Sequence, residues 1–285
     1  MNEQARELIK LVERGNIQYS TKFLTITSGK GGVGKTNFAV NTAYILANIF
    51  RKKVLLIDAD VGMANIHVIM NLKNTKNIKD FVNTGKIEDI ISNKDNIDVL
   101  PGFSGIEEIG EIEDFTSAKL IQELAEISDR YDYVIIDTSA GIDNKVVSFV
   151  RASSRTYVIT TPEPTSMTDA YALIKSINKI YGYSRFKLVV NMATSKKEGM
   201  EVYRRLRESC KKFINMDLQL AGVLPNTKNM TAVIKKKEVF VKLFPEDKLT
   251  KELKMIISKE TGESVPAETG KSFWGRVLRF LSRGR

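Results

Sequence analysis

Ser28-Gly29-Lys30-Gly31-Gly32-Val33-Gly34-Lys35-Thr36, "SGKGGVGKT" at residues 28–36, fits the spacing G-x-x-x-x-G-K-[ST] from Gly29 to Thr36. An apolar, strand-like run (Phe23-Leu24-Thr25-Ile26-Thr27) precedes it, and Asn37 to Ile49 follows with helical apolar spacing. A strand, a glycine loop and a helix in that order form a phosphate cradle. The glycines let backbone N–H groups point inward, and the helix contributes the positive end of its dipole. Lys35 is placed to reach the terminal phosphates, and the Thr36 hydroxyl to hold Mg²⁺. Gly29, Gly31, Gly32, Val33, Gly34 and Asn37 complete the candidate nucleotide contacts. The loop contains a second lysine, Lys30, for which this arrangement has no role of its own.

Outward from the loop, apolar runs alternate with helical patterns. The runs are 23–27, 53–57, 97–100, 133–136, 156–160, 186–190 and 219–223; helical stretches include 37–49, 117–130, 143–152, 166–181 and 198–212. Near-continuous apolar strands separated by helices predict an α/β fold, with a largely parallel sheet of seven to eight strands covered on both faces. Several runs end in a polar residue: Ser28, Asp58, Asp137, Thr161 and Asn191. In a parallel sheet these share the carboxyl edge, where ligands bind. Asp137 follows four apolar residues, as expected of a carboxylate that supports Mg²⁺. Asp58 and Asp60 lie two apart in "IDADVGMAN". If the strand runs through both, they share a face. One is expected to order metal-bound water and the other the attacking water.

The 285 residues are 42% hydrophobic and 27% charged, ordinary for a globular chain. Cys210 and His67 are the only residues of their kinds, which excludes a disulfide framework, a cysteine metal cluster and catalysis by paired histidines. No apolar stretch approaches a membrane span and no signal peptide opens the chain, so a cytoplasmic protein is expected. The net charge is +10, and residues 271–285 supply half of it through Lys271, Arg276, Arg279, Arg283 and Arg285.

That end reads KSFWGRVLRFLSRGR. In a helix, Phe273, Trp274, Val277, Leu278, Phe280 and Leu281 share one arc and the arginines lie opposite. A polar segment with glycine and proline, 259–270, precedes it. The expectation is a linker and a detached amphipathic helix that meets an anionic membrane surface. A helix packed on the domain and a DNA-binding arm are the alternatives. At the other end, residues 2–13 read as a helix with Ala5, Leu8, Ile9 and Val12 on one face. The boundaries are then 1–19 for the N-terminal helix, 20–258 for the nucleotide domain, 259–270 for the linker and 271–285 for the C-terminal helix.

"KGGVGKT", "LLIDADVGMANIHVIM" and "YVIIDTSAGI" together resemble the MinD/ParA class of P-loop ATPases, the deviant Walker A group. The resemblance runs from about residue 22 to 258. It implies Mg²⁺-dependent ATP hydrolysis to ADP and an ATP-dependent homodimer in which Lys30 reaches the partner's nucleotide. It further implies that Asp60 positions the hydrolytic water, that 137–141 senses the γ-phosphate, and that Asn191, Pro225 and Asn226 form the adenine edge. Met192 stands where the family often has arginine. Glu3-Gln4-Ala5-Arg6-Glu7-Leu8 is similar to the D-Q-A-x-x-L-R segment of the flagellar branch, FlhG (FleN, YlxH). Gln4, Ala5 and Leu8 match it, Glu3 replaces Asp, and Ile9 stands at the Arg position. The resemblance implies an FlhF-type GTPase and flagellar C-ring or switch proteins as partners, reversible attachment to the inner membrane face, and no specific nucleic acid. A MinD division-site regulator and a ParA-type DNA-segregation ATPase are the neighbouring alternatives.

Overall fold

The β-branched and leucine-rich runs form the strands, and their alternation decides which layer each side chain enters. The computed structural model describes residues 21–60, 66–73, 76, 80–81, 85–100, 122–262 and 269–283. Its strands are β1 (Lys22–Ser28), β2 (Val54–Ala59), β3 (Ser92–Lys94), β4 (Ile97–Leu100), β5 (Tyr133–Ala140), β6 (Arg155–Thr160), β7 (Phe186–Ala193) and β8 (Gln219–Pro225). They lie in the order β3-β4-β2-β5-β1-β6-β7-β8. All pairings are parallel except the edge hairpin β3–β4. Seven strands match the apolar runs; β3 is the eighth, and its sequence, SNK, carries no apolar signal.

Helices cover both faces. On one lie α1 (Lys35–Tyr44), prolonged by a π-helical turn (Ile45–Ile49), and the later helix Lys248–Gly262. Phe38, Val40, Leu46, Leu253 and Ile257 pack there on Leu24, Ile26, Leu56 and Ile135. A short α2 (Ile66–Ile69) follows β2. On the other face lie α3 (122–128), α4 (Asn144–Ala152), α5 (Pro164–Tyr181) and α6 (Lys196–Ile214). Phe23, Leu55, Ile57, Val134 and Ile136 point to α3 and α4, and Val158, Leu188 and Val190 to α5 and α6. Cys210 is a buried thiol in the last cluster, its pKa pushed up to about 11 by burial. The chain ends with α7 (Asn229–Lys236), α8 (Phe240–Leu243), α9 (the helix Lys248–Gly262) and α10 (Gly270–Arg283).

The C-terminal helix corrects an expectation. α10 is not detached, and α9 runs through 262, into the stretch expected to be a linker, before α10 begins at 270. Phe273, Trp274 and Val277, expected to face a membrane, are fully buried on the domain. The Phe273 ring stacks on Phe23 at 4.0 Å, and Trp274 meets Phe149 edge-on at 6.1 Å. The Trp274 indole N–H donates to Ser128 Oγ at 3.1 Å, and Arg276 donates to the Ala152 carbonyl at 2.7 Å. An amphipathic face needs an apolar surface, and the groove between α3, α4 and β1 supplies one together with the polar partner a buried indole requires. Leu278 and Phe280 are half-buried, Phe280 against Tyr181 with Arg151 over both rings. The Leu281 side chain lies outside the described residues, as do Gln4, Ala5 and Leu8 with the whole N-terminal helix.

Trp274→Ala removes the largest buried side chain of this groove. It should cost about 3–5 kcal/mol of unfolding free energy, read from urea denaturation. A helix held away from the domain would leave the midpoint where it was.

Candidate nucleotide site

β1 ends at Ser28, where the chain turns over the carboxyl edge of the sheet before entering α1. Two features fix that turn. Gly34 caps α1 at φ 92°, in the left-handed region, and a Cβ there would lie 2.4 Å from the Asn191 amide nitrogen. That same amide donates to the Val33 carbonyl at 2.9 Å, so β7 clamps the loop from beside. Val33 is buried in the core, while Gly31 and Gly32 face open space. Asn37 lies in the first turn of the helix, and its carbonyl accepts from the Asn41 side chain. Lys35 is 93% buried at the helix N-terminus, so its reach is toward the loop rather than into solvent.

Asp58 and Asp137 are register partners on adjacent strands, and both are buried. Both oxygens of Asp137 lack a hydrogen-bond partner. Burial drives its pKa up to about 7. The Thr36 hydroxyl and Lys35 oppose that rise, and the charges of Asp58 and Asp60 add to it. Thr36 lies outside hydrogen-bond geometry with the carboxylate, so the two are neighbours without closing on each other. A buried orphan carboxylate beside a threonine hydroxyl fits a Mg²⁺ site completed by phosphate oxygens and water. Among the described residues no three His, Cys, Asp or Glu side chains form a metal cage.

Asp58 acts on the loop after β2. Its two oxygens accept from the backbone N–H groups of Asp60 at 3.3 Å and Ile66 at 3.1 Å. β2 stops at Ala59, so Asp60 stands just past the strand and half-exposed, rather than on a continued strand face beside Asp58. Gly62 and Asn65 lie outside the described residues. On the other side of the loop, the Gly141 N–H donates to the Ser28 carbonyl, and Asp143 caps α4 through Val146. The 137–141 segment is thereby tied to the start of the phosphate loop. Asn226 donates its N–H to the Ala193 carbonyl, which brings Pro225 and Asn226 to the strand end that carries Asn191. Met192 occupies a left-handed position there (φ 58°), its terminal methyl 3.7 Å from where a Gly34 Cβ would stand.

Lys30 points away from this site. Its ammonium bonds Glu163 at 2.8 Å and the Thr165 hydroxyl at 2.9 Å, both at the start of α5. Glu163 and Thr165 were missed in the sequence. The signal was "TPEPT" (161–165), a polar residue at a strand end followed by a proline-opened helix.

The AAA domain family model matches residues 21–190. The antiactivator FleN of Pseudomonas aeruginosa is 35% identical over 87% of this chain and 89% of its own. The flagellum site-determining protein YlxH of Helicobacter pylori is 34% identical over 99% of this chain and 100% of its own. The chain belongs to the FleN/YlxH branch of the MinD-type P-loop ATPases. The fold agrees: MinD in the MinC:MinD complex of Aquifex aeolicus superimposes with a TM-score of 0.67 at 26% identity, covering 87% of this chain and 98% of that one. MinD of Pyrococcus horikoshii, complexed with Mg-ADP, gives 0.67 at 22% identity over 85% and 96%. This member of the branch is therefore an ATPase and a flagellar regulator of the MinD family.

In the nucleotide-free protein the raised Asp137 pKa makes a signed prediction. Between its unfolded value of 3.8 and about 7 the folded chain holds a proton that the unfolded chain has released. Stability should therefore fall as pH rises through that window, and Asp137→Asn should flatten the slope in thermal melts. Gly34→Ala should abolish ATP binding in equilibrium titration, since the new methyl displaces the Asn191 clamp and strains the cap.

Proposed function

We propose that this protein is an ATP-gated switch that dimerises around two nucleotides and sets flagellar number or placement through an FlhF-type GTPase and the flagellar switch. The observation that carries the reading is the division of labour between the loop's two lysines. Lys35 is buried at its own helix N-terminus, and Lys30 stands outward on a surface ion pair. An exposed pair of this kind is worth about 0–1 kcal/mol, so Lys30 leaves Glu163 at little cost when a partner subunit presents phosphate.

Thr36 and Asp137 would hold Mg²⁺, which neutralises charge on the transferring phosphoryl group. Lys35 binds the β- and γ-phosphates from within the subunit. Asp60, held by Asp58 just beyond the strand, orients the attacking water. Asn191, Pro225 and Asn226 line the base. Loss of the γ-phosphate is relayed through 137–141, which meets the loop at Ser28.

Membrane attachment through α10 requires the helix to leave its groove, exposing Phe273, Trp274 and Val277. Two such helices on one dimer bind a surface far better than one, because the second event is intramolecular. Among the described residues no helix is long and apolar enough to cross a membrane. The N-terminal segment with Gln4, Ala5 and Leu8 is assigned to the GTPase partner by its similarity to the flagellar branch.

Asp60→Ala should retain ATP binding and accumulate the dimer, with turnover reduced roughly 100-fold, read by phosphate release and light scattering. In the source organism, a clean deletion should change flagellar number or position and leave division normal in electron micrographs. Minicells with normal flagella would point to a division-site regulator and overturn the reading.

A further inference from the structure

A cleft of about 700 Å³ opens at the amino edge of the sheet, the end opposite the phosphate loop. It lies between the end of the α1 π-turn, the start of β2, the β3–β4 hairpin and the turn after α3. Three consecutive exposed cations, Arg51, Lys52 and Lys53, line it together with Arg130.

The charge balance there is one-sided. Of the two acids in the lining, Glu88 is paired with Arg130 at 3.1 Å. Asp98 accepts from the Tyr131 hydroxyl at 2.8 Å and from the Asn93 amide at 2.7 Å. Asp132, nearby, accepts the backbone N–H of Lys53. The side chains of Arg51, Lys52 and Lys53 have no acidic partner among the described residues. Four cations and two carboxylates line the cleft, and of the four only Arg130 is paired with an acid among the described residues.

The backbone presents them at a cost. α1 ends in a π-helical turn, and Arg51 then adopts a left-handed conformation (φ 55°) that a long side chain rarely takes. Both features recur where a chain has been shaped around a ligand. Ala47, Ile91 and Ile127 supply an apolar wall, and Asn96 an amide. Clustered cations, apolar lining residues and a volume suited to a small molecule describe a site for a phosphate ester attached to a larger body.

We propose that this cleft is a second ligand site, taking a phosphorylated group on Arg51, Lys52 and Lys53, distinct from the phosphate loop. α1 joins the two sites: Lys35 opens the helix under the loop, and Arg51 follows its Phe50 cap at the cleft. The turn at 128–132 adds the chain ends. Thr21 bonds the Ser128 and Tyr131 carbonyls where the N-terminal segment enters, and Gly270, the first residue of α10, donates to Asp129. A ligand in the cleft would touch Arg130 and Tyr131 in the same turn that Thr21 and Gly270 bond. The phosphate can be part of a soluble nucleotide or of a phospholipid headgroup.

The test uses the full-length Lys35→Ala chain, in which the phosphate loop has lost its lysine. Calorimetric titration with ATP, GTP and inorganic pyrophosphate, and co-sedimentation with phosphatidylglycerol vesicles, are compared with the same chain carrying Arg51→Ala, Lys52→Ala and Lys53→Ala. Saturable binding of a soluble probe, weakened about tenfold or more by the triple change, supports the site and identifies a free phosphate ester as its source. Vesicle binding lost in the triple variant, without soluble binding, supports the site and identifies a headgroup. Binding that the triple change leaves intact, including vesicle binding through α10 alone, overturns the proposal. So does the absence of binding to any probe. The three residues are exposed, so an unchanged melting temperature in the triple variant establishes that it has folded.

Discussion

A carboxylate at the centre of the sheet has no hydrogen-bond partner and no water-facing side. Asp137 is flanked by Asp58 on β2, by the end of β1, and by Lys35 and Thr36 at the helix start. In a low-dielectric interior an ion in that position is unfavourable, so the group shifts toward its neutral form. The arrangement becomes favourable when a cation shares the site. Its neighbours suit that event: a threonine hydroxyl close by, a lysine turned inward, and a second aspartate, Asp58, whose oxygens also accept from the loop that carries Asp60. The glycine loop, the Asn191 clamp and the Gly141–Ser28 bond are the backbone conditions that keep this cluster at one edge.

Two contacts describe the resting subunit. Lys30 is held by Glu163 on the surface, and α10 is seated in its own groove. They differ in strength. The lysine contact is solvent-exposed and weak. The helix contact buries two aromatic rings and a valine, each worth roughly 1.5–3 kcal/mol on burial. A switch built from them responds easily at the loop and reluctantly at the helix. Any release of α10 from its groove would therefore demand either a change in the groove or a surface that replaces its buried area.

Much of this was legible in the sequence. The seven apolar strands followed from continuous Val, Ile and Leu runs, and convergence of Ser28, Asp58, Asp137 and Asn191 followed from the parallel topology. β3 escaped because a three-residue polar edge strand has no hydrophobic signature. The state of α10 escaped for a different reason. An apolar arc states that a helix must bury a face, not what it buries it against; the groove is assembled from Phe23, Ser128 and Phe149, which are distant in sequence. The Glu163 contact escaped for the same reason, since nothing local to Lys30 indicates a partner 133 residues away. Only a strand continued through Asp60 would put it on one face with Asp58; the strand ends at Ala59, and Asp58 bonds the loop backbone.

The central claim is that the two lysines of one loop serve two different nucleotides. It is tested most directly by mixing subunits. Lys30→Ala chains keep their own phosphate lysine but cannot supply the partner's; Lys35→Ala chains supply Lys30 but cannot bind phosphate well. Each alone should be inactive in ATP hydrolysis. If Lys30 acts across the interface, a mixture should recover a measurable fraction of wild-type turnover, because the mixed dimer contains one complete site. A mixture as inactive as its components would contradict the account and place Lys30 at its own subunit's nucleotide.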